Sequence, residues 1–592
     1  MAGNPPILGS EPGVVPRDKV YTLLLRMPLI DSNGDEITRS LQLNQECNPI
    51  LTSLDPLSPP IDPLDVLVMT SFSDFLFLSD ASPLLRPSFL FFIFSGILVG
   101  YLFVGWFRSR KKHSLCPPGP SGVPILGNIF HMPTEASWIT FSRWGEIWGD
   151  IISVRVLQQP IIILNSASIA TEMLNKKSAI YSDRPTMMMG GELAGWKNML
   201  ALTRYNTHGD RFRKYRRYIH RVLGTPASIE KYYHVEEEET LRFLRRVVRD
   251  PDDVQQHIRK SIGAVVLKIS HGYNVQDSND PFVDIADRAN AQLSCSLAPG
   301  AYLVDLFPIL RHVPEWFPFA NFKRTAASWA NTLNDVIDLP FDFVKREMFA
   351  GTAVHSFTSD LLQEDLDFNE ENIVKWAAAS LYSGGADTSV STIHSFFLAM
   401  VLYPEVQKKA QAEIDRVVGN DRLPTYSDRE NLPYVEAIIS EVLRWKPVAP
   451  LGLPHRVMKD DVHAGYHIPK DSIIIANIWQ FLHDPRSYHD PEEFNPERFL
   501  PTGTRAPEPD PRTVCFGFGR RTCPGIHLAE ASVYLFCARA LATLNISKIV
   551  ENGVVVEPVC ESTSGFLSHP KPFRCNITPR SPKALGLVEV AL

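Results

Sequence analysis

The chain lacks the marks of several common protein classes. Its eight cysteines (Cys47, Cys116, Cys295, Cys515, Cys523, Cys537, Cys560 and Cys575) are scattered, with no CxxC pair. That pattern argues against a disulfide framework and fits a reducing compartment, with free buried thiols as the default. There is no excess of positive charge: the formal net charge is −7, so no bulk electrostatic case for nucleic-acid binding exists. No nucleic-acid motif, internal repeat, or flavin or nicotinamide module is present. The start, Met1–Asn4, does not open like a signal peptide, because no basic region leads into an apolar core.

Apolar material is plentiful. Of 592 residues 44% are hydrophobic, enough for a large core. Length alone suggests three or four domains. The pattern along the chain instead divides it into an extension, an anchor, a linker and one large folded unit. Residues 1–87 are rich in Pro, Ser, Asp and Leu without a sustained period. They read as a poorly ordered extension, or as a part absent from the mature protein; Met27 and Met69 are later candidate starts. Ser88–Phe107 carries no charge over 20 residues. A helix of that length reaches ~30 Å, the thickness of the hydrocarbon core. Arg108, Arg110, Lys111 and Lys112 follow and should stay on the cytoplasmic side, with Tyr101 and Trp106 near the interface. The expectation is a single-pass anchor in the endoplasmic reticulum membrane with a cytoplasmic catalytic part. The alternative for the same run is a buried core helix. Residues 108–120 then form a basic and Pro-rich linker, stiffened by Pro117, Pro118 and Pro120.

From residue 121 to 592 the chain reads as one unit. Ile151–Val156 and Ile161–Leu164 suggest strands around a turn at Gln158–Pro160, and a second strand region covers His467–Ala476. From about residue 165 helical patterns dominate. Asn369-Glu370-Glu371 reads as a cap and acidic first turn of a long helix running to about Leu402. Gly384 and Gly385 inside it cost roughly 1 kcal/mol each against alanine, which suggests a kink or the close approach of a ligand.

One cysteine has an unusual setting. Cys523 follows Gly517 and Gly519 and precedes Gly525, just before an apolar helical pattern that runs to Leu544. A helix N-terminus, together with Arg520 and Arg521, favours a thiolate there, and a thiolate suits haem iron. Taken alone the segment reads first as a buried free cysteine, the usual fate of a single cysteine in a reducing compartment.

The stretch matches F-x-x-G-x-R-x-C-x-G at Phe516, Gly519, Arg521, Cys523 and Gly525, and so resembles the haem-binding loop of the cytochrome P450 family. The resemblance implies that Cys523 is the axial ligand of a b-type haem, that Phe516 packs near the sulfur, and that Arg521 contacts a propionate. Other segments agree in order. Glu441-Val442-Leu443-Arg444 resembles the family's E-x-x-R, with Arg498 of Pro496-Glu497-Arg498-Phe499 as third member of a structural triad. Gly384–Thr388 resembles the central-helix motif. There Thr388 would hydrogen-bond dioxygen and Asp387 would help relay protons, as general-acid chemistry requires. Arg216 matches the arginine of W-x-x-x-R, another propionate contact, but Phe212 stands where the tryptophan is expected. His455 resembles a further propionate contact.

The resemblance covers residues 115–580. In Pro447–Leu453 and Gly565–Phe573 its cast is that of fungal secondary-metabolism members such as O-methylsterigmatocystin oxidoreductase. It implies a mainly α fold with a small β region. The implied reaction is monooxygenation of a lipophilic molecule, with electrons from a separate NADPH–cytochrome P450 reductase and cytochrome b5 as an optional second donor. The basic run Arg211–Arg221 is the candidate docking surface. Met187–Met199, Val448–Leu453, the helix face beside Gly384 and Gly565–Phe566 are the candidate substrate contacts. Rival readings are an isomerase, dehydratase or peroxygenase on the same fold, or a non-catalytic haem-binding or membrane scaffold protein.

Overall fold

The computed structural model describes residues 115–590, other than 278, 299, 502 and 504, and Gly96 before them. The expected anchor at Ser88–Phe107, Gly96 apart, and the extension before it lie outside the described residues. Among the described residues no helix is long and apolar enough to cross a membrane.

The core is built mainly from helices: α1 Tyr205–Leu223, α2 Tyr233–Arg249, α3 Val254–His271, α4 Pro281–Leu297, α5 Asn321–Ala350, α6 Phe368–Leu402, α7 Pro404–Val417, α8 Pro433–Trp445 and α9 Ile526–Thr543. α6 is apolar or small on nearly every face from Val374 onward, and so runs through the interior. Its N-cap is Asp367, whose Oδ1 accepts the Glu370 N–H at 2.8 Å. The expected cap, Asn369, lies inside the first turn instead, because a side chain caps best from just outside the helix.

The strands form small sheets. β1 Ile151–Val156 and β2 Gln159–Leu164 make the expected antiparallel hairpin. The second strand region divides. With β3 His455–Arg456, β4 Asp461–His463, β5 Tyr466–Ile468 and β6 Ile473–Ala476 defined, β5 pairs with β4, while β6 joins β2 in parallel and β3 antiparallel. The turn at Pro469–Asp471 therefore separates two sheets. The Pro-rich stretch is fastened to the first of them: Pro118 O accepts the Ser153 N–H at 2.8 Å.

A buried ionic cluster holds the approach to the Cys523 loop. On α8, Arg444 donates from Nε and Nη2 to both oxygens of Glu441, at 2.7 and 2.8 Å. Its remaining donors reach the carbonyls of Leu482, Pro491 and Glu493. Arg498 lies 3.2 Å from Glu441 and 2.7 Å from Glu508. The triad expected from the sequence forms, and Glu508 makes it a tetrad of two cations and two anions. Charges this deep persist only when paired and fully hydrogen-bonded. Glu441→Ala leaves two buried guanidinium groups short of a partner, so it should cost about 3–5 kcal/mol. Chemical denaturation would measure this; an unchanged midpoint would remove the tetrad from the fold's supports.

Candidate active site

Cys523 ends a loop whose shape is set by backbone. The Cys523 N–H donates to Phe516 O at 2.8 Å. Gly519 has φ +53°, and a Cβ there would stand 2.4 Å from the Leu174 carbonyl oxygen. Its N–H donates to Asn175 Oδ1 at 2.5 Å. Only glycine meets both demands. Gly525 precedes α9, and its N–H faces the Cys523 sulfur. Cys523 is half-buried. Desolvation pushes the thiol up, against the pull of the Gly525 N–H and the Arg216 charge. Phe516 is half-buried against the largest apolar cluster.

The sequence reading assigned Arg520 and Arg521 to the thiolate; the structure corrects this. Both lie on or at the end of the short 3₁₀ turn Gly519–Arg521, and both bond to groups other than the sulfur. Arg520 donates to Tyr205 Oη at 2.6 Å. Arg521 is buried and donates to the carbonyls of Ser182, Leu200 and Thr203 at 2.8, 3.3 and 2.7 Å. The cation acting on Cys523 comes from α1: Arg216 Nη1 reaches Thr522 O at 2.5 Å.

Arg521 belongs to a cationic pocket. Arg184, which the sequence reading missed, is buried beside it and donates to the carbonyls of Ala201, Leu453 and Pro454. Burial lowers the pKa of Arg521 to about 10, with Arg216 adding repulsion. Burial also holds Arg184 well below its ordinary value, with Arg521 repelling it. His455 is buried too, and its Nδ1 donates to Tyr181 O at 2.6 Å. Desolvation, then Arg184, hold its pKa well below 6.5. The nearby carboxylate, Asp183, is shared with Arg204 at 4.0 Å and Arg456 at 3.4 Å. Buried guanidinium groups answered only by carbonyls are costly. A cofactor bearing carboxylates beside Cys523 is the chemistry this donor set fits. Phe212 has a defined place here: the Arg521 guanidinium lies 4.1 Å above its ring, a cation–π contact.

The central-helix motif lies on α6, which runs through Gly384 and Gly385 without a break. The expected kink is absent, and the two glycines differ. A Cβ on Gly385 would come 3.1 Å from Val266 of α3, whereas one on Gly384 would meet nothing within 4 Å. Gly385 thus permits close helix packing, and Gly384 leaves open space. Thr388 Oγ1 donates to Gly384 O at 2.9 Å. Asp387 is buried between Arg259 Nη1 on Oδ1, at 3.0 Å, and His569 Nε2 on Oδ2, at 3.2 Å. Burial alone would raise this carboxyl; His569 and then Arg259 outweigh it and bring its pKa below the ordinary value. Neither partner was foreseen, since each lies more than a hundred positions away in sequence.

The remaining expectations fare unevenly. Met189 is fully buried, and Asp305 Oδ1 accepts the N–H groups of Met188 and Met189 at 2.6 and 3.0 Å. That part of the Met run is packing. On the basic run, Lys214 pairs with Glu370 and Arg221 with Glu364, while Arg217 is exposed.

The Gly519 geometry yields a graded expectation. Gly519→Ala places a methyl against Leu174 O in the left-handed region. Gly517→Ala shares the positive φ, but its Cβ meets only Arg521 O at 3.5 Å; its cost is roughly 1–2 kcal/mol of strain. Haem bound per polypeptide should fall much further for Gly519→Ala. Equal losses in the two proteins would refute the packing argument.

Comparison with known proteins agrees with this geometry. The sequence model of the family described as Cytochrome P450 matches residues 117–577. Cytochrome P450 monooxygenase 208 of Postia placenta is 51% identical over 492 residues, covering 83% of this chain and 96% of that protein. Cytochrome P450 monooxygenase claR of Ampulloclitocybe clavipes is 47% identical, covering 84% and 91%. Tryptamine 4-monooxygenase of Psilocybe cyanescens is 37% identical, covering 83% and 98%. The chain belongs to the cytochrome P450 family, and it is a haem monooxygenase.

Proposed function

We propose that this enzyme inserts one oxygen atom from O₂ into a lipophilic small molecule of fungal secondary metabolism. Its electrons come from NADPH through a separate reductase, with cytochrome b5 as a second donor. The observation that carries the site assignment is the convergence of Arg184, Arg216, Arg521 and His455 beside the Cys523 loop, more cationic donors than the one nearby carboxylate, Asp183, can answer. Haem held there supplies the activation of oxygen that no side chain can perform.

The chain's own residues do the rest. Cys523 offers its sulfur from a loop fixed at Gly519, and Phe516 shields that side from water. Arg216, Arg521 and His455 take the cofactor's carboxylates, joined by Arg184. Nδ1 of His455 already donates to a carbonyl, so a bond from its Nε2 to a carboxylate requires the imidazolium; the incoming negative charge favours that form. Thr388 gives its hydroxyl proton to Gly384 O at rest and keeps its oxygen lone pairs as acceptors. Asp387, one residue earlier, is kept as a carboxylate by His569 and Arg259, and takes up a proton and passes it on at its carboxyl. A buried acid next to an alcohol that borders open space is suited to proton delivery, which favours reductase-fed monooxygenation over isomerase, dehydratase or peroxygenase activity. The exposed cations of α1, Arg217 among them, face an acidic electron donor. Residues 121–592 form the catalytic domain. Ser88–Phe107 anchors it in the endoplasmic reticulum membrane, with the cytoplasmic side marked by Arg108–Lys112 and residues 1–87 preceding the span.

Microsomes carrying the enzyme and a reductase, screened against lipophilic compounds, identify the substrate; tryptamine joins the panel because one relative is a tryptamine 4-monooxygenase. Thr388→Ala should lower product formed per NADPH by about tenfold or more, and unchanged coupling removes its role. Cys523→Ser should abolish the thiolate-type Soret shift of the reduced protein with CO; a retained shift rejects the ligand. A chain beginning at Pro117 should leave the membrane fraction, and undiminished sedimentation with membranes would mean the main anchor lies elsewhere.

A further inference from the structure

On α6, Asp387, Ser391 and His394 stand at i, i+4 and i+7, and so share one face. Each meets the same C-terminal segment. Ser391 Oγ donates to Ser568 O at 2.6 Å, Asp387 Oδ2 meets His569 Nε2, and His394 stacks on Phe573 with ring centroids 4.7 Å apart. The segment is fixed before its side chains act. The Thr563 N–H donates to His569 O at 2.8 Å, and the His569 N–H donates to Thr563 Oγ1 at 3.0 Å. The Ser568 N–H donates to Val448 O at 2.8 Å. His569 is therefore delivered to Asp387 by a backbone that has little freedom to move.

We propose that His569 is a positioning residue for the acid Asp387, holding its carboxylate through Oδ2 from the C-terminal strap. The proposal rests on the role given to Asp387. The tautomer supports it. In His455 a carbonyl accepts from Nδ1, so Nε2 of the neutral ring is an acceptor. In His569 Nδ1 is buried and has no hydrogen-bond partner among the described residues. Nothing there competes for the ring proton, so Nε2 can carry it toward the carboxylate oxygen. The charged and titratable groups facing His569 are Asp387 and His394 on α6 and Arg259 on α3, which also pairs with Asp287 of α4 at 3.0 Å. On its own segment, Lys571 pairs with Glu561. Burial, with His569 and Arg259 adding to it, brings the pKa of His394 to about 3, so that ring stays neutral.

The sign of the effect follows. Burial raises the Asp387 carboxyl, and His569 is the first of the influences that lower it. Without His569 the carboxyl must move up. A carboxyl depressed in the folded state adds stability above its unfolded pKa of about 3.9, and that stability is lost as pH falls through the folded value. The penalty of removing His569 should accordingly be largest near neutral pH and shrink as pH falls.

The test uses the full-length holoenzyme, reconstituted with a reductase and no added substrate. NADPH oxidised and hydrogen peroxide released are followed against pH. Thermal unfolding is recorded over the same range. The proteins are the parent, His569→Ala, His569→Gln, Asp387→Asn and the double variant His569→Ala/Asp387→Asn. His569→Ala should move the acid limb of the profile to higher pH. His569→Gln keeps a hydrogen-bond donor on a different frame, and should return it part of the way. The melting penalty of His569→Ala should be present with Asp387 and absent in the Asp387→Asn background. An unmoved limb, or an equal melting loss in both backgrounds, overturns the proposal and leaves His569 as packing. Should His569→Ala fail to fold, His569→Gln carries the same two readouts: its limb lies above the parent's if the proposal holds and coincides with it if not. A profile unchanged by Asp387→Asn would instead reject the role of Asp387, and the melting cycle would still report on the contact.

Discussion

Burying a guanidinium is among the most expensive things a protein interior does, and the two ways this chain manages it organise the molecule. In the tetrad the cost is met from within: Arg444 and Arg498 face Glu441 and Glu508, and every remaining donor finds a carbonyl. Beside the Cys523 loop it is not. Arg184 and Arg521 hold carbonyls, repel one another, and share Asp183 with other cations. The first arrangement is complete as a folded polypeptide. The second is suited to a ligand that brings negative charge. A group that binds only the folded chain stabilises it by mass action, so cofactor affinity and the stability of this half of the core are one quantity seen from two sides.

The same division runs along α6. Near its middle Gly385 lets α3 approach, which brings Arg259 within reach of Asp387. Gly384, one residue earlier, does nothing for packing and leaves space at the next turn from Thr388. A helix broken here would lose both functions, because the faces of Asp387 and Thr388 are fixed by helical spacing alone. Continuity of the helix, rather than a kink, is what places an acid against its cationic partners while the neighbouring alcohol borders the opening.

What could be read from the sequence was what spacing encodes. Cys523 with Phe516, Gly519, Arg521 and Gly525 sits within ten positions, and Glu441 reaches Arg444 by one helical turn. The hairpin of β1 and β2 follows from alternation about a turn. Partners brought together by the fold left no such mark. Glu508, Arg184, Arg259 and His569 are single residues in unremarkable surroundings, and β6 joins β2 from some three hundred positions away. Direction was also lost. Two arginines next to a cysteine in sequence suggested a cationic setting for its sulfur, but both bond to other groups and leave that position to Arg216 from another helix. Local pattern identifies which residues matter more readily than which atoms they face.

Phe212 shows that such a residue has two sides. Read as a tryptophan replaced, it is a lost N–H and a propionate short of one hydrogen bond, worth on the order of 1 kcal/mol. In the fold its ring lies under Arg521, packed edge-on against Tyr205, whose hydroxyl in turn accepts from Arg520. Cation–π attraction of about 0.5–2 kcal/mol is of the same order as the missing bond, and it acts on the group proposed to face the cofactor's charge. The aromatic ring need not touch the ligand to help hold it. By fixing the plane of Arg521 it reduces the freedom that guanidinium must surrender on binding, so the substitution exchanges a direct contact for preorganisation.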